Sequence, residues 1–86
     1  MKLCFTPSAW EDYRWFQEQD RSLLKRLNGL IKDTLRSPFE GIGKPERLKA
    51  DLTGYWSRRI NDEHRLVYTA TATDVIIIGC RYHYSR

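Results

Sequence analysis

Residues 20–38 read DRSLLKRLNGLIKDTLRSP, and this stretch sets how the rest of the chain is arranged. Its apolar side chains recur every three or four positions, which is the spacing of one face of an α-helix. They are Leu23, Leu24, Leu27, Leu30, Ile31 and Leu35. Asp20 is a residue type that caps helix N-termini, and Ser37-Pro38 ends a helix. The stretch therefore predicts an amphipathic helix whose apolar face must pack against another element.

Two further elements are predicted before this helix. Residues 2–6 are typical of a short strand, which Pro7 ends because proline has no N–H to donate to a central ladder. Ser8 and Glu11 have the spacing of a capping box at a helix N-terminus. The helix that follows has an apolar stripe formed by Trp10, Tyr13 and Phe16. We expect the two helices to form a hairpin over a sheet.

The sheet itself is predicted to come after the helices. Residues 39–45 contain two glycines and a proline, so they are expected to be a loop. Three segments rich in β-branched and aromatic residues follow and are expected to be strands. These segments are residues 55–60, 65–70 and 75–84. Turns at residues 61–64 and 71–74 would join them into an antiparallel meander.

The order of these elements is typical of an α+β fold. We predict an N-terminal strand and a two-helix hairpin packed on one face of an antiparallel sheet. With 86 residues, the chain is expected to form a single domain, residues 1–86, around one core. The helices would leave the other face of the sheet open, and function is expected there.

The charge of the chain is uneven. It carries 15 Lys and Arg against 11 Asp and Glu, for a net charge of +4. Residues 1–43 hold seven basic and six acidic side chains, for +1, whereas residues 44–86 hold eight and five, for +3. Such a surplus is expected where a protein meets a polyanion, although an ordinary solubility charge would have the same sign.

Composition also limits the compartment and the cofactors. No apolar run approaches the roughly 20 residues needed to cross a bilayer, and no secretory leader follows Met1, so the cytoplasm is expected and a membrane is not. Cys4 and Cys80 lack the paired spacing of a zinc or thiol-redox site. Both are expected to be reduced, small hydrophobic residues. We predict no cofactor and no metal site.

Three side chains that lie far apart along the chain could cleave RNA by acid-base chemistry if the fold brought them together. That reaction needs a base for the 2′-hydroxyl, a cation for the phosphate and an acid for the 5′-oxygen. Glu46, Arg65 and His83 are the candidates. Strand alternation predicts that Arg65 points to the open face, and Arg59 lies near it across a short turn.

Each candidate also has a purely structural interpretation. Glu46 could pair with Lys49, and His83 could be an exposed surface side chain. His64 lies in a predicted turn and is expected to order the hairpin rather than to react. On the last strand Arg81 and His83 would share one side unless the end of that strand bulges.

The wider set of basic and aromatic residues is ambiguous in the same way. The basic series comprises Lys44, Arg47, Lys49, Arg58, Arg59, Arg65 and Arg81. It suits a polyanion but is also typical of a solvated face. The aromatic residues Tyr55, Trp56 and Tyr82 could stack on bases, but aromatic side chains on a sheet more often pack.

Four ordered motifs carry a resemblance to a known family. Residues 37–49 read SPFEGIGKPERLK, residues 52–60 read LTGYWSRRI, residues 63–68 read EHRLVY, and residues 80–84 read CRYHY. Together they resemble the YoeB toxins, a branch of the RelE superfamily, and the resemblance extends over residues 1–84. It implies the RelE-like toxin fold and the toxin half of a type II toxin-antitoxin system. Such a toxin is a ribosome-dependent, metal-independent endoribonuclease that cleaves mRNA in the A site.

The resemblance also implies roles for individual residues. By analogy with the family, Glu46 is the general base, Arg65 stabilises the phosphate, and His83 is the general acid. Cleavage would leave a 2′,3′-cyclic phosphate. Residues expected to bind or position the substrate are Lys49, Arg59 and Tyr84.

The expected partners follow from the same resemblance. A cognate YefM-like antitoxin would fold an acidic, initially disordered tail along the toxin. Operator DNA would be bound only through the antitoxin complex, and a homodimer is possible. The 70S ribosome and mRNA would be the site of action, with basic residues of the second helix as candidate contacts to ribosomal RNA. These residues are Lys25, Arg26, Lys32 and Arg36.

Two rival functions remain open at the level of sequence. The first is a non-catalytic RNA- or ribosome-binding module that uses the same basic face. The second is an adaptor that inhibits a protein target.

Overall fold

The computed structural model of the protein describes residues 1–83. The chain forms β1 (Lys2–Phe5), α1 (Pro7–Gln19), α2 (Arg21–Arg36), β2 (Glu46–Arg47), a 3₁₀ turn (Ala50–Leu52), β3 (Trp56–Arg59), β4 (Arg65–Ala70) and β5 (Asp74–Gly79). In residues 1–83 no helix has both the length and the apolar character to cross a membrane.

The strands form a mixed five-stranded sheet in the order β1-β5-β4-β3-β2. Strands β3 to β5 form the predicted antiparallel meander, and β2 extends it at the edge. Strand β1 lies at the other edge and pairs with β5 in parallel, Leu3 opposite Val75. The two helices supply the crossover that a parallel pair requires. The predicted α+β class is confirmed, whereas neither the parallel pairing nor β2 was predicted.

The start of α1 differs from the predicted capping box at Ser8 and Glu11. Thr6 is the N-cap, and its hydroxyl accepts a hydrogen bond from the amide of Ala9 at 3.2 Å. Pro7 occupies the first turn, where its fixed φ suits the helix and its missing N–H costs nothing. The cap therefore lies two residues earlier than the sequence pattern indicated.

The second helix agrees with the sequence pattern. The carboxylate of Asp20 accepts a hydrogen bond from the amide of Leu23 at 3.1 Å, and the helix ends at Arg36, directly before Ser37-Pro38. Its apolar face packs with that of α1 on one side of the sheet. The fully buried side chains there include Phe16, Leu27, Leu30, Leu66, Tyr68 and Ile77.

An arginine lies within this core. Arg58 is completely buried, and its guanidinium donates to the carboxylate of Asp33 at 2.7 Å and to the hydroxyl of Tyr68 at 3.1 Å. It also donates to the carbonyl groups of Ser37, Glu40 and Ile42. Arg58 thus holds the loop between α2 and β2 against the sheet, and its inclusion among cations available to a polyanion was wrong.

The last strand is shorter than predicted. It ends at Gly79 instead of continuing through residue 84, and Tyr82 adopts a left-handed backbone conformation with φ of 60°. The strict alternation that would put Arg81 and His83 on one side of a strand is therefore lost. Arg81 stacks on Trp15 of α1, with 3.9 Å between the guanidinium carbon and the ring centroid.

Candidate active site

A cleft of about 260 Å³ opens on the sheet face that the helices leave uncovered. It is lined by Glu46, Leu48, Ser57, Arg59, Arg65, Val67 and His83. The strand register explains the convergence, because Glu46 pairs with Ser57, Ser57 with Val67, and Arg59 with Arg65. Residues that face each other across neighbouring strands point to the same side of a sheet. The fold therefore brings Glu46, Arg65 and His83 to one cleft.

Glu46 lies on the short edge strand β2 and is exposed to solvent. Its strand follows a loop that turns at Gly43 and Lys44, both with positive φ, and that is fixed by a 2.6 Å hydrogen bond from the amide of Arg59 to the carbonyl of Gly43. Within residues 1–83 no cation lies within 4.0 Å of the Glu46 carboxylate, so the ion pair with Lys49 is not formed. The carboxylate at the rim of the cleft is available to accept a proton.

Arg65 is half-buried on β4, in the wall of the cleft. One terminal nitrogen of its guanidinium donates to the carbonyl groups of Asn61 and His64, the latter at 3.0 Å. An arginine has five N–H groups, and these two bonds leave the other nitrogens without a hydrogen-bond partner in the described part of the chain. The hairpin turn thus fixes the side chain while donors remain for an anion in the cleft.

His83 is exposed and reaches the cleft from the segment after β5. Its Nε2 lies 2.8 Å from the carbonyl oxygen of Asp62. Because a carbonyl oxygen only accepts hydrogen bonds, Nε2 carries the proton in this contact. The contact orients the imidazole and leaves Nδ1 as the nitrogen that can gain or lose a proton.

The predicted substrate-binding residues fall in different places. Arg59 is exposed and lines the cleft beside Arg65. Lys49 lies in an adjoining groove of about 660 Å³, which shares Leu48 with the cleft. That groove is lined by Phe39, Arg47, Leu48, Lys49, Thr53, Gly54, Tyr55 and Trp56. Tyr84 lies outside the described residues.

The structure gives His64 a role that the sequence did not reveal. Its backbone orders the hairpin as predicted, since its amide donates to the side-chain oxygen of Asn61 at 2.7 Å. Its imidazole, however, is buried to 3% exposure against Trp15 and Phe16. Burial in these apolar surroundings lowers the pKa of His64. Sequence periodicity gave no signal for this, because the contacts are made by residues distant along the chain.

The segment after β5 is held against α1 at several points. The amide of Cys80 donates to the carboxylate of Asp12 at 3.1 Å, and the thiol of Cys80 is completely buried. Burial raises the pKa of that thiol to about 12, in keeping with the predicted inert hydrophobic role. Cys4 is half-buried. Over residues 1–83 no three His, Cys, Asp or Glu side chains cluster as metal ligands.

Comparison with known proteins defines the class of the chain. Residues 5–84 match the family described as YoeB-like toxin of bacterial type II toxin-antitoxin system. The protein is thus a small toxin of the bacterial type II toxin-antitoxin class. It belongs to the YoeB family, in agreement with the four sequence motifs.

Individual relatives support this assignment over the full length. The toxin YoeB of Synechocystis is 64% identical over 86 residues, which is 100% of both chains. A YoeB/ParE toxin structure from Agrobacterium tumefaciens superposes with a TM-score of 0.94 at 48% identity, covering 98% of this chain and 100% of that one. A heterotetrameric YoeB-YefM complex from Staphylococcus aureus superposes with a TM-score of 0.89 at 52% identity, covering 98% of each chain. A YoeB dimer from the same organism gives 0.90 at the same identity and coverage.

Proposed function

We propose that this toxin is an endoribonuclease that cleaves mRNA in the ribosomal A site by metal-independent acid-base catalysis. The main support for the proposal is the cleft on the open sheet face. Glu46 from β2, Arg59 from β3, Arg65 from β4 and His83 from the C-terminal segment all line it. A carboxylate, two guanidinium groups and an imidazole can supply the base, the cations and the acid that transesterification of an RNA phosphodiester needs.

In this mechanism the 2′-hydroxyl of one nucleotide attacks its own 3′-phosphate. The Glu46 carboxylate accepts the 2′-hydroxyl proton as the bond from the 2′-oxygen to phosphorus forms. Arg65 and Arg59 stabilise the negative charge that gathers on the phosphate oxygens. The bond from phosphorus to the 5′-oxygen breaks, and His83 donates a proton to that oxygen. The products are a 2′,3′-cyclic phosphate and a 5′-hydroxyl.

The contact between His83 and Asp62 fits this role for the imidazole. The Asp62 carbonyl holds the proton on Nε2, so a doubly protonated ring can deliver its Nδ1 proton and remain as a hydrogen-bonded neutral tautomer.

The ribosome would supply the orientation that this small cleft lacks. A positioned general acid and base each give about 10² to 10⁴ in rate, whereas alignment of the reacting groups can contribute about 7 to 11 kcal/mol more. Candidate contacts to ribosomal RNA are the exposed Lys25 and Lys32 of α2. Arg26 and Arg36, on the same helix, are also exposed, but the former donates to the carbonyl of Arg59 and the latter pairs with Asp33.

The proposed protein partner is a YefM-like antitoxin. The complex from Staphylococcus aureus pairs a relative of this chain with such an antitoxin, and a dimer of that relative is also known. The cationic cleft formed by Arg59 and Arg65 is complementary to an acidic tail, which would occupy it and exclude the RNA. A homodimer is proposed on the same basis, and operator DNA would be bound only through the antitoxin.

The test is a pair of variants assayed on ribosomes that carry a defined message. Glu46→Gln and His83→Gln are each expected to lower the single-turnover cleavage rate by about 10² to 10⁴. Both should still co-sediment with ribosomes. Glu18→Gln is the matched control, since this exposed carboxylate lies on α1 and pairs only with Arg14 in the described residues.

The outcomes separate the proposal from its rivals. Unchanged cleavage in both variants would refute the catalytic assignment. Growth arrest without new RNA ends, in the wild type as well as in the variants, would favour the non-catalytic binding module or the adaptor.

A further inference from the structure

The imidazole of His64 makes a hydrogen bond that neither hairpin order nor core packing requires. Its Nδ1 accepts the backbone N–H of Tyr82 at 2.7 Å. Tyr82 has the left-handed φ of 60° and directly precedes His83. The bond therefore fixes the backbone at the point where the chain must turn to bring His83 to the cleft.

The same histidine also contacts Arg65, the residue proposed to bind the phosphate. The carbonyl of His64 accepts a hydrogen bond from the guanidinium of Arg65 at 3.0 Å. The amide of Arg65 in turn donates to the carbonyl of Tyr82 at 3.2 Å. Residues 64, 65 and 82 thus form a closed set of contacts that ties the position of Arg65 to that of the chain carrying His83.

The hydrogen bond from Tyr82 requires one particular protonation state of the His64 ring. A backbone N–H can only donate, so Nδ1 must be unprotonated and the proton of the neutral ring must be on Nε2. Nε2 lies 3.5 Å from the carboxylate of Glu63. If the ring gained a second proton, on Nδ1, two N–H donors would face each other and the bond to Tyr82 would break.

We propose that His64 is a positioning residue for the cleavage reaction: as a neutral hydrogen-bond acceptor it holds the segment that carries His83 in register with Arg65. It contacts neither the substrate nor the reacting atoms. The inference rests on the proposed endoribonuclease function. It adds to that function a residue that positions a catalytic side chain without taking part in the reaction. Loss of the acceptor would leave the fold intact and displace the imidazole of His83.

The surroundings of His64 determine how the bond responds to pH. The ring packs on Trp15 and Phe16 of α1 and on Tyr82. Burial and the nearby Arg81 oppose its protonation, whereas Glu63, Asp20 and Asp12 favour it. Burial is the dominant influence and lowers the pKa of His64, so the bond is intact at neutral pH and is lost as the pH falls below the ordinary histidine range of about 6.5.

Two substitutions separate the acceptor from the aromatic ring. His64→Asn keeps an acceptor oxygen near the position of Nδ1 but removes the ring that packs on Trp15 and Phe16. His64→Phe keeps the ring but removes the acceptor. For a positioning role we expect kcat to fall by about 10- to 100-fold in His64→Phe and by much less in His64→Asn, with KM little changed, since a misplacement of ~1 Å costs up to about 10²-fold. Thermal stability should rank the other way, with His64→Phe above His64→Asn.

A purely structural role would give the opposite ranking of the rates. Cleavage by His64→Phe within threefold of the wild type would overturn the proposal, and so would equal losses of kcat in both variants. The pH profile is a further readout, because protonation of Nδ1 would break the bond in the wild type and cannot occur in His64→Asn. The cleavage rate of the wild type relative to that of His64→Asn is expected to fall as the pH is lowered from neutral into the acid range, and a constant ratio would contradict the proposal.

A measurement on the unmodified protein covers the case in which a variant does not fold. Nuclear magnetic resonance should detect unprotonated Nδ1 of His64 at pH 7, with a scalar coupling across the hydrogen bond to the Tyr82 nitrogen. The side-chain resonances of His83 should move when His64 is protonated. A protonated Nδ1 at pH 7, or a His83 signal indifferent to the state of His64, would refute the inference. Failure of the proposed function is distinguishable, because then either the wild type would form no new RNA ends or His83→Gln itself would cleave at the wild-type rate.

Discussion

The two histidines of this chain lie in opposite environments. His64 is buried among aromatic rings and accepts a hydrogen bond from the backbone of Tyr82, whereas His83 is exposed at the cleft and donates to the carbonyl of Asp62. Burial lowers the pKa of His64, which favours a fixed neutral ring. His83 instead faces solvent. One histidine is thus suited to hold the site and the other to act in it.

Asp33 makes the stability of the fold depend on pH. Hydrogen bonds from Arg36, the amide of Ile42 and Arg58 hold the pKa of its carboxyl well below the ordinary value of 3.8. In acid the unfolded chain therefore binds a proton that the folded chain does not, so stability falls as the pH drops below about 4. We expect Asp33→Asn to be less stable than the wild type at pH 7 and to lose less stability between pH 5 and 2.

Chemical denaturation at several pH values measures this difference. Glu18→Gln is the control, because its exposed ion pair with Arg14 is of a type that contributes little. Parallel curves of unfolding free energy against pH for the wild type and Asp33→Asn would contradict the account.

Sequence reasoning located the catalytic candidates but not the residues that support them. Alternation along a strand placed Arg65 on the open face, and the family resemblance selected Glu46 and His83, which the fold brings to the same cleft. Arg58 was assigned to the solvent-facing basic series because a buried arginine looks the same in sequence as an exposed one. Its five oxygen partners come from distant parts of the chain, and no local pattern encodes them.

At the scale of the elements, the two helix N-termini show where local patterns succeed. Asp20 caps α2 as expected, and the nearby hydroxyl of Ser22 donates to the Asp20 carboxylate instead of capping the helix itself. Before α1 both Thr6 and Ser8 are good capping residues, and the choice is made by Pro7, which is favoured at the first helical position. The bounds of β3 and β4 were predicted accurately, because turns lie on both sides of these strands. Strand β5 ended early because contacts of Cys80 and Arg81 with α1 draw the chain off the sheet.

Substitution at the two candidate caps tests this description of α1. Thr6→Ala removes the hydroxyl that accepts the Ala9 amide, so we expect it to lower the free energy of unfolding by about 1 kcal/mol, within a range of about 0.5 to 2. Ser8→Ala is the matched control and should change it by less than about 0.5 kcal/mol. Urea denaturation of the two variants gives the comparison. A larger loss in Ser8→Ala than in Thr6→Ala would show that the capping box is the true start of the helix.

At the scale of the whole molecule, the cleft exists only when the sheet is complete. Its residues come from β2, β3, β4 and the C-terminal segment, and the last of these is anchored to α1 through Asp12 and Trp15. The sequence predicted the α+β class and the meander because these follow from local periodicity. It did not predict the parallel pairing of β1 with β5, since that pairing depends on how the two helices cross the sheet.

In the proposed mechanism, this cleft cleaves RNA by transfer of the phosphate to the neighbouring 2′-oxygen. The most direct test is to map and chemically type the RNA ends formed when the purified toxin meets ribosomes paused on a defined message. We predict new ends within the A-site codon, a 2′,3′-cyclic phosphate on one fragment and a 5′-hydroxyl on the other, and their loss with Glu46→Gln. A message that stays intact, or fragments that carry 5′-phosphate ends, would contradict the claim.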